Sequence, residues 1–259
     1  MTSLAALRNA WEDLAQRDAL GAILTDPSKA GGRWSVAEFM ETGDAEIDTV
    51  LNHLSASGYI PGFKGMALDF GCGVGRLTQA MARRFACCAG VDISTQMIQN
   101  AEALNQHPHC FYVPMAGPSL PFADSTFSFI YSNIVLQHVP RKYSVGYLHE
   151  FERVLKPGGV LVFGVQDRFA TPDFASRMVR VRHILRIRSR LRSALGRSGG
   201  DMQMHCLPER IVRAALKSVR VVDVQLTNTA AKDFNGRIRY LKQAPARGYV
   251  GKQYCAVKD

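Results

Sequence analysis

The stretch LDFGCGVGRL at residues 68–77, followed by VDIS at 91–94, decides the fold of this chain. An apolar run that predicts a short buried strand ends in Asp69, and the residues after the turn have helical apolar spacing. Three glycines alternate through the turn: Gly71, Gly73 and Gly75. Such glycines let the backbone bend tightly and let a ligand approach closely. Asp92 ends a second apolar strand, where a carboxylate can accept hydrogen bonds from the ribose of an adenosine. Together these features predict a nucleoside-binding α/β domain.

The residues around the glycines discriminate between nucleoside cofactors. Sites for nicotinamide and flavin dinucleotides typically have the motif G-x-G-x-x-G or G-x-G-x-x-A, in which the last residue is small. This chain has Arg76 at that position. Asp69 precedes the glycines, and a carboxylate at that point repels a diphosphate but suits a ligand with an ammonium and a sulfonium group. The pattern therefore predicts S-adenosylmethionine as the cofactor.

Length and composition favour a globular cytoplasmic protein. The 259 residues are enough for one large core, or for a core with a small lid, and 47% of them are hydrophobic. No run approaches the roughly 18 apolar residues of a membrane span, and no apolar leader follows Met1. The six cysteines show no C-x-x-C pair, which predicts reduced thiols. No metal site is predicted, because His107, His109 and Cys110 have no further ligand at a zinc spacing.

The positive charge is concentrated in one segment. The formal net charge is +10, and residues 177–197 contain eight arginines and no acidic residue. One interpretation is an amphipathic lid helix whose arginines are solvated. The other is contact with an anionic partner: a phosphorylated or carrier-bound substrate, an anionic membrane surface, or RNA. RNA is the less favoured partner, because no aromatic residues are interleaved with the arginines.

Apolar periodicity predicts an alternation of helices and strands. Two N-terminal helices are expected over 3–19 and 35–56, with Ser35 as an N-cap. The predicted strands are 65–70, 88–92, 110–114, 127–133, 159–165, 219–228 and 248–259. The predicted helices among them are 75–85, 95–105, 143–156 and 207–219. Short strands alternating with helices predict a parallel sheet covered on both faces.

Residues 66–165 resemble a class I S-adenosylmethionine-dependent methyltransferase of the ubiquinone-biosynthesis-like group. The matching stretches are LDFGCGVGRL, GVDIS, SLPFADSTFSFIYSNIVLQHVP (119–140) and EFERVLKPGGVLVFG (150–164). The resemblance implies an α/β, Rossmann-like sheet of seven strands, mostly parallel with an antiparallel last strand. It also implies an N-terminal helical lid over residues 1–60. The methyltransferase domain would then occupy 61–259, with a helical arginine-rich insert at about 167–205.

The resemblance also implies a role for each matching position. The glycines and Cys72 would line the methionyl part of the cofactor, with Asp69 near its amino group, while Asp92 would hold the ribose. Met115 and Ala116 stand where the family usually has an acidic residue that binds adenine. The implied cofactor-binding residues are Asp69, Gly71, Cys72, Gly73, Gly75, Asp92, Ile93, Met97, Met115, Ala116, Asn133, Ile134 and His138.

His138 and His205 are the candidate catalytic residues. A general base assists methyl transfer to a hydroxyl group, and His138 follows the fourth strand at the edge where active sites lie in such sheets. Alternatively, His138 caps a helix or covers the cofactor, and His205 lies in a loop. The expected reaction is methyl transfer to a hydroxyl oxygen of a small-molecule or glycan acceptor, which is anionic or sugar-bearing.

Two other functions remain open at this point. One is a nicotinamide-dependent oxidoreductase, although Arg76 and Asp69 count against a dinucleotide. The other is a non-catalytic adenosylmethionine-fold protein that binds RNA or another polyanion through residues 177–197. The second function predicts binding that weakens steeply with salt.

Overall fold

The computed structural model describes residues 3–29, 31–115, 117–170, 204–231 and 233–259. The arginine-rich segment 177–197 and most of the predicted insert lie outside these residues. The helices are α1 (Leu4–Ile23), α2 (Val36–Ala56), α3 (Arg76–Ala82), α4 (Thr95–Leu104), α5 (Arg141–Val154) and α6 (Glu209–Ala215). The strands are β1 (Met66–Phe70), β2 (Cys87–Asp92), β3 (Cys110–Pro114), β4 (Phe127–Ser132), β5 (Leu155–Ala170), β6 (Val219–Thr227), β7 (Tyr240–Leu241) and β8 (Gly248–Lys258).

The strands form one sheet in the order β3-β2-β1-β4-β5-β8-β6-β7. The first five strands in this order run parallel to one another. Strand β8 is antiparallel to both β5 and β6, and β7 is antiparallel to β6. This confirms the mostly parallel Rossmann-like sheet and its antiparallel last strand. Among the described residues the sheet has eight strands, one more than the seven that the sequence predicts. The additional strand, β7, has only two residues, too few to show any apolar alternation in the sequence.

Several predicted boundaries also differ from the structure, among them those of α1 and of β5, which begins at Leu155 instead of residue 159. Strand β5 was expected to end at residue 165 but continues to Ala170, because its last residues pair with the start of β8. Residues 167–170 therefore belong to the sheet and not to a helical insert. Helix α1 extends to Ile23, with a non-helical backbone at Asp18. The N-cap at Ser35 is confirmed, since its Oγ accepts a hydrogen bond from the backbone N–H of Glu38.

The two faces of the sheet are covered by different helices. In β1, Leu68 and Phe70 pack into the core that includes α5, whereas Ala67 packs into the core that includes α2 and α3. Successive side chains of a strand point to opposite faces, so a short apolar strand is buried on both sides. Burial on both faces holds the end of β1, and therefore the glycine turn, in one place.

The strand order places the carboxyl ends of β1, β2 and β4 next to one another. The chain leaves β1 toward β2 on one side and later returns to β4 on the other side. In open α/β sheets the crevice at such a reversal is where ligands bind. The glycine turn follows β1, Asp92 is the last residue of β2, and Asn133 follows β4.

Candidate functional site

A cavity of about 380 Å³ lies at this reversal of the strand order. Its wall contains most of the predicted cofactor residues: Gly71, Cys72, Gly73, Asp92, Ile93, Met97, Met115, Asn133, Ile134 and His138. Asp69, Gly75 and His205 are not part of the wall, and Ala116 lies outside the described residues. Fold and local pattern thus bring together residues that are up to 67 positions apart, as Gly71 and His138 are.

The glycine turn is tied to the end of β2. The backbone N–H groups of Gly71 and Cys72 both donate to the carbonyl oxygen of Val91, at 2.8 and 2.9 Å. Gly71 has a φ of +77°, and a Cβ at this position would lie 2.4 Å from a methyl group of Val135. Gly75, which precedes α3, has a φ of +82°. Larger residues at either position would strain the turn or displace a side chain of the cavity wall.

Asp92 presents a carboxylate to the cavity in a fixed orientation. Its Oδ2 accepts from the N–H of Gly73 at 3.0 Å, and its Oδ1 accepts from the N–H of Ser94 at 2.9 Å. Burial raises the pKa of Asp92 to about 6, although the backbone N–H groups around it favour the ionised form. Each oxygen can accept a further hydrogen bond. The carboxylate is therefore prepared to bind a pair of ligand hydroxyl groups.

Asp69 lies behind the turn instead of on the cavity wall. Its Oδ2 accepts from Thr78 Oγ1 at 2.6 Å, and its Oδ1 has no hydrogen-bond partner among the described residues. Burial raises the pKa of this carboxyl to about 7, and the Thr78 hydroxyl and the charge of Arg76 oppose this effect. The structure thus separates Asp69 from the group of predicted residues that line the cavity.

A buried ion pair, which the sequence analysis missed, supports the tip of β4. Arg76 Nη2 donates to Glu46 Oε2 at 2.9 Å, and both side chains are almost completely inaccessible. The other oxygen of Glu46 accepts from Tyr131 Oη at 2.8 Å and from Asn133 Nδ2 at 2.7 Å. Glu46 falls on the same side of α2 as Phe39, seven residues earlier, so an acid within the apolar stripe was the available signal.

The residues after β4 adopt a constrained conformation beside this pair. Ile134 has a φ of +54°, which is unfavourable for a β-branched residue. Asn133 Oδ1 accepts from the Ile134 N–H at 3.0 Å, while the amide nitrogen of Asn133 is held by Glu46. Glu46 therefore fixes the orientation of an amide whose other end stabilises the constrained backbone of the cavity wall.

Helix α1 closes the cavity from the outside. Its residues Leu4, Leu7 and Trp11 line the wall. Glu12 accepts from Ser94 Oγ and from the N–H groups of Thr95 and Gln96, at 2.7–2.9 Å, so it caps the N-terminus of α4. Burial opposes ionisation of Glu12, but these hydrogen bonds prevail and lower its pKa. Through this carboxylate α1 is fastened beside the strand that ends in Asp92.

His138 lines the cavity and is mostly enclosed. Its ring contacts that of Trp11 edge-on, with centroids 5.7 Å apart. Its Nε2 lies 3.2 Å from Gln137 Nε2, and its Nδ1 has no hydrogen-bond partner among the described residues. Burial, with a smaller contribution from the nearby His205, lowers the pKa of His138 to about 4. The imidazole is therefore neutral near pH 7.

His205 lies next to the cavity but not on its wall. Its backbone N–H donates to the carbonyl oxygen of Gln137 at 2.7 Å, and the adjacent Met204 contributes to the wall. Burial and the charge of Arg141 lower the pKa of His205. His205 is therefore bonded to the backbone beside His138, and Met204 instead of His205 lines the cavity.

The described part of the chain has two further general properties. No cluster of three or more metal-ligating side chains occurs in it. None of its helices has both the length and the apolar character needed to cross a bilayer.

Comparison with known proteins adds independent information. Residues 68–163 match the sequence family described as a methyltransferase domain. An uncharacterized protein of Methanocaldococcus jannaschii is 33% identical over 126 residues, which cover 48% of this chain and 52% of that protein. A demethylmenaquinone methyltransferase of Tropheryma whipplei is 36% identical over 110 residues, 41% of this chain and 45% of that enzyme. The chain spans about half the length of these curated relatives.

Several solved structures resemble this chain over nearly its whole length. Magnesium protoporphyrin IX methyltransferase of Synechocystis PCC 6803, with bound S-adenosylhomocysteine, superimposes with a TM-score of 0.59 at 17% identity. The superposition covers 99% of this chain and all of that chain, so the two proteins share a fold. Residues 68–163 therefore match a methyltransferase domain, and the chain has the fold of a methyltransferase whose structure contains S-adenosylhomocysteine.

Proposed function

We propose that this protein transfers a methyl group from S-adenosylmethionine to an oxygen atom of a small-molecule acceptor. The observation that carries the proposal is the cavity at the reversal of the strand order, where the glycine turn meets the fixed carboxylate of Asp92. S-adenosylmethionine supplies a methyl carbon that its sulfonium group already activates. The protein therefore contributes mainly by positioning the two reactants, an effect worth roughly 7–11 kcal/mol in favourable cases.

The residues of the cavity fit this cofactor at three points. Asp92 can accept from both ribose hydroxyls, and the apolar side chains of Ile93 and Met97 can pack against adenine. The methionyl part would lie along the backbone of Gly71 and Gly73, where a Cβ would meet Val135 or Ile23 within 2.5 Å, so only glycine allows this turn. Asn133 and Ile134 would then lie near the reactive methyl group, as their place after β4 suggests.

The outer part of the cavity would receive the acceptor. It is bordered by apolar and aromatic side chains from α1 and from the C-terminal half of the chain: Leu4, Leu7, Trp11, Ile23, Met204, Phe234 and Tyr249. We propose that residues 1–60 act as a lid, with α1 as the part that covers the reactants. Exclusion of water by α1 would strengthen the electrostatic interactions within the cavity.

Calorimetric titration tests the cofactor assignment. The purified protein is titrated in parallel with S-adenosylmethionine, S-adenosylhomocysteine and NADH. We expect the two sulfur ligands to bind and NADH not to bind, because Arg76 stands where a dinucleotide site needs a small residue. Binding of NADH, or failure of both sulfur ligands to bind a folded protein, would contradict the proposal.

The affinity for S-adenosylhomocysteine should depend on pH through Asp92. The pKa of this carboxyl is raised to about 6 in the free protein, and the ribose hydroxyls bind its ionised form. Protons therefore compete with the ligand below pH 6, so the dissociation constant should rise by up to about tenfold per pH unit there and level off above about pH 7. Calorimetry from pH 5 to 8 measures this, and an Asp92→Asn variant should lose the dependence. A wild-type affinity unchanged across that range would exclude Asp92 as the ribose ligand.

A further inference from the structure

We infer that His138 is a hydrogen-bond donor rather than a general base, and that the methylated oxygen of the acceptor is already ionised when it binds. Such an oxygen belongs to a carboxylate or to an acidic phenol, and not to a sugar or another neutral alcohol. This inference rests on the proposed methyl transfer and specifies its acceptor.

The neighbours of His138 determine which of its nitrogens carries the hydrogen. Gln166, which is fully buried, donates from its Nε2 to Gln137 Oε1 at 2.7 Å. This bond leaves the amide nitrogen of Gln137 directed at His138 Nε2, 3.2 Å away. An amide nitrogen can only donate, so His138 Nε2 must accept with its lone pair. A neutral imidazole has one N–H, and here that hydrogen is on Nδ1.

No described residue accepts a hydrogen bond from the Nδ1–H group. His138 lies on the cavity wall, and its Nδ1 is inaccessible to solvent and without a partner among the described residues. An unsatisfied buried donor is energetically unfavourable, and an oxygen atom of a bound acceptor would offset this cost. The edge-on contact with Trp11 helps to hold the ring in position. His138 is thus arranged to recognise an oxygen.

The described part of the cavity wall contains no replacement for a base at His138. Asp92 is the one other carboxylate or imidazole there, and its oxygens already accept from Gly73 and Ser94 while facing the proposed ribose site. Burial raises the pKa of Tyr147 to about 12 and raises that of Cys72 well above its ordinary value, so neither group is a base near pH 7. Apart from Asp92 and His138, no carboxylate or imidazole on the described wall could receive the proton of a neutral alcohol, and His205 lies beside the wall and not on it.

An ionised oxygen makes a base unnecessary. One lone pair of this oxygen forms the new C–O bond as the C–S bond breaks, and the electron pair of that bond stays on sulfur. The sulfonium cation and the oxygen anion become a neutral thioether and a neutral methyl ester or aryl ether, with no proton transferred. The Nδ1–H of His138 can meanwhile donate to an acceptor oxygen and orient the attacking group toward the methyl carbon.

The tautomer can be observed directly. A long-range ¹H–¹⁵N correlation spectrum of the ¹⁵N-labelled protein at pH 7 distinguishes Nδ1–H from Nε2–H, and His138→Gln assigns the signals. We expect the Nδ1–H form. The Nε2–H form would overturn the inference, because it would leave a lone pair on Nδ1, as a general base requires.

A Gln137→Glu variant reverses the direction of the hydrogen bond. Its carboxylate accepts from Nε2–H, so we expect the hydrogen to move from Nδ1 to Nε2 and the pKa of His138 to rise. Binding of S-adenosylhomocysteine should persist, whereas the KM of the acceptor should increase about tenfold or more. The exposed Gln99→Glu change on α4 is the matched control and should leave the tautomer unchanged. An unchanged His138 spectrum in Gln137→Glu would show that Gln137 does not set the tautomer.

Acceptors of different acidity test the second half of the inference. Benzoate, 4-nitrophenol and benzyl alcohol are compared as methyl acceptors between pH 5 and 9. We expect methylation of the ionised compounds only, with a rate that rises with pH up to the acceptor's own pKa. Methylation of benzyl alcohol, or a profile with the same protein pKa for every acceptor, would overturn it. Failure of the proposed function is distinguishable, because S-adenosylhomocysteine would then not bind, whatever the tautomer.

Discussion

Replacement of Asp92 by alanine is expected to weaken the binding of S-adenosylhomocysteine at least about a hundredfold. The carboxylate would accept from two ribose hydroxyls, and hydrogen bonds to a charged group contribute about 1.5–3 kcal/mol each. Two of them amount to about 3–6 kcal/mol, and every 1.4 kcal/mol corresponds to a factor of about ten in affinity. The substitution also removes the acceptor for the N–H groups of Gly73 and Ser94, which shape the turn.

Calorimetry on folded Asp92→Ala protein measures this loss. Asp124→Ala is a suitable control, because Asp124 is an exposed aspartate paired with Arg153 away from the cavity wall. The control should bind the ligand as the wild type does. If Asp92→Ala retained an affinity within about fivefold of the wild type, the ribose would have to lie elsewhere in the cavity.

Replacement of Glu46 by alanine is expected to lower the free energy of unfolding by about 3–5 kcal/mol. Glu46 and Arg76 are both inaccessible to solvent, and removal of one partner leaves an uncompensated charge in the interior. Tyr131 and Asn133 lose their acceptor at the same time. The cost should be large because all of these side chains are almost completely buried.

Urea denaturation of both the variant and a control on the same helix tests this prediction. Asp48 forms a comparable ion pair with Arg84, at 2.9 Å, but more than half of each side chain is exposed. Exposed pairs contribute about 0–1 kcal/mol, so Asp48→Ala should be nearly neutral. A loss below about 1.5 kcal/mol for Glu46→Ala would mean that Arg76 finds another partner or reaches solvent. If folded Glu46→Ala protein bound S-adenosylhomocysteine with wild-type affinity, the substitution would affect stability and not ligand binding.

Features that depend on local pattern were predicted well. The glycine turn, the acidic end of β2 and the N-cap at Ser35 each lie within a few consecutive residues, and their geometry follows from backbone preferences there. The position of Asp69 shows the limit of such reasoning. Adjacency to the turn suggested a place beside the ligand, but the alternation of β1 directs this carboxyl toward Thr78 in the interior.

Long-range contacts account for the features that were missed. Glu12 and Glu46 lie on the two N-terminal helices, yet they act at the N-terminus of α4 and at the tip of β4. The extension of β5 to Ala170 arises from its pairing with β8, about 80 residues later in the chain. None of these relations has a short-range signature in sequence.

The local sequence therefore determined the class of fold, the nature of the cofactor and the carboxylate expected to hold its ribose. It could do so because a strand-to-helix turn with a defined glycine spacing is specified by neighbouring residues. The folded arrangement of the chain decided that Asp69 is internal, that Glu46 supports Asn133, and that Gln137 lies beside the ring of His138. These properties depend on burial and on the direction of individual hydrogen bonds, which exist only once distant segments have packed together.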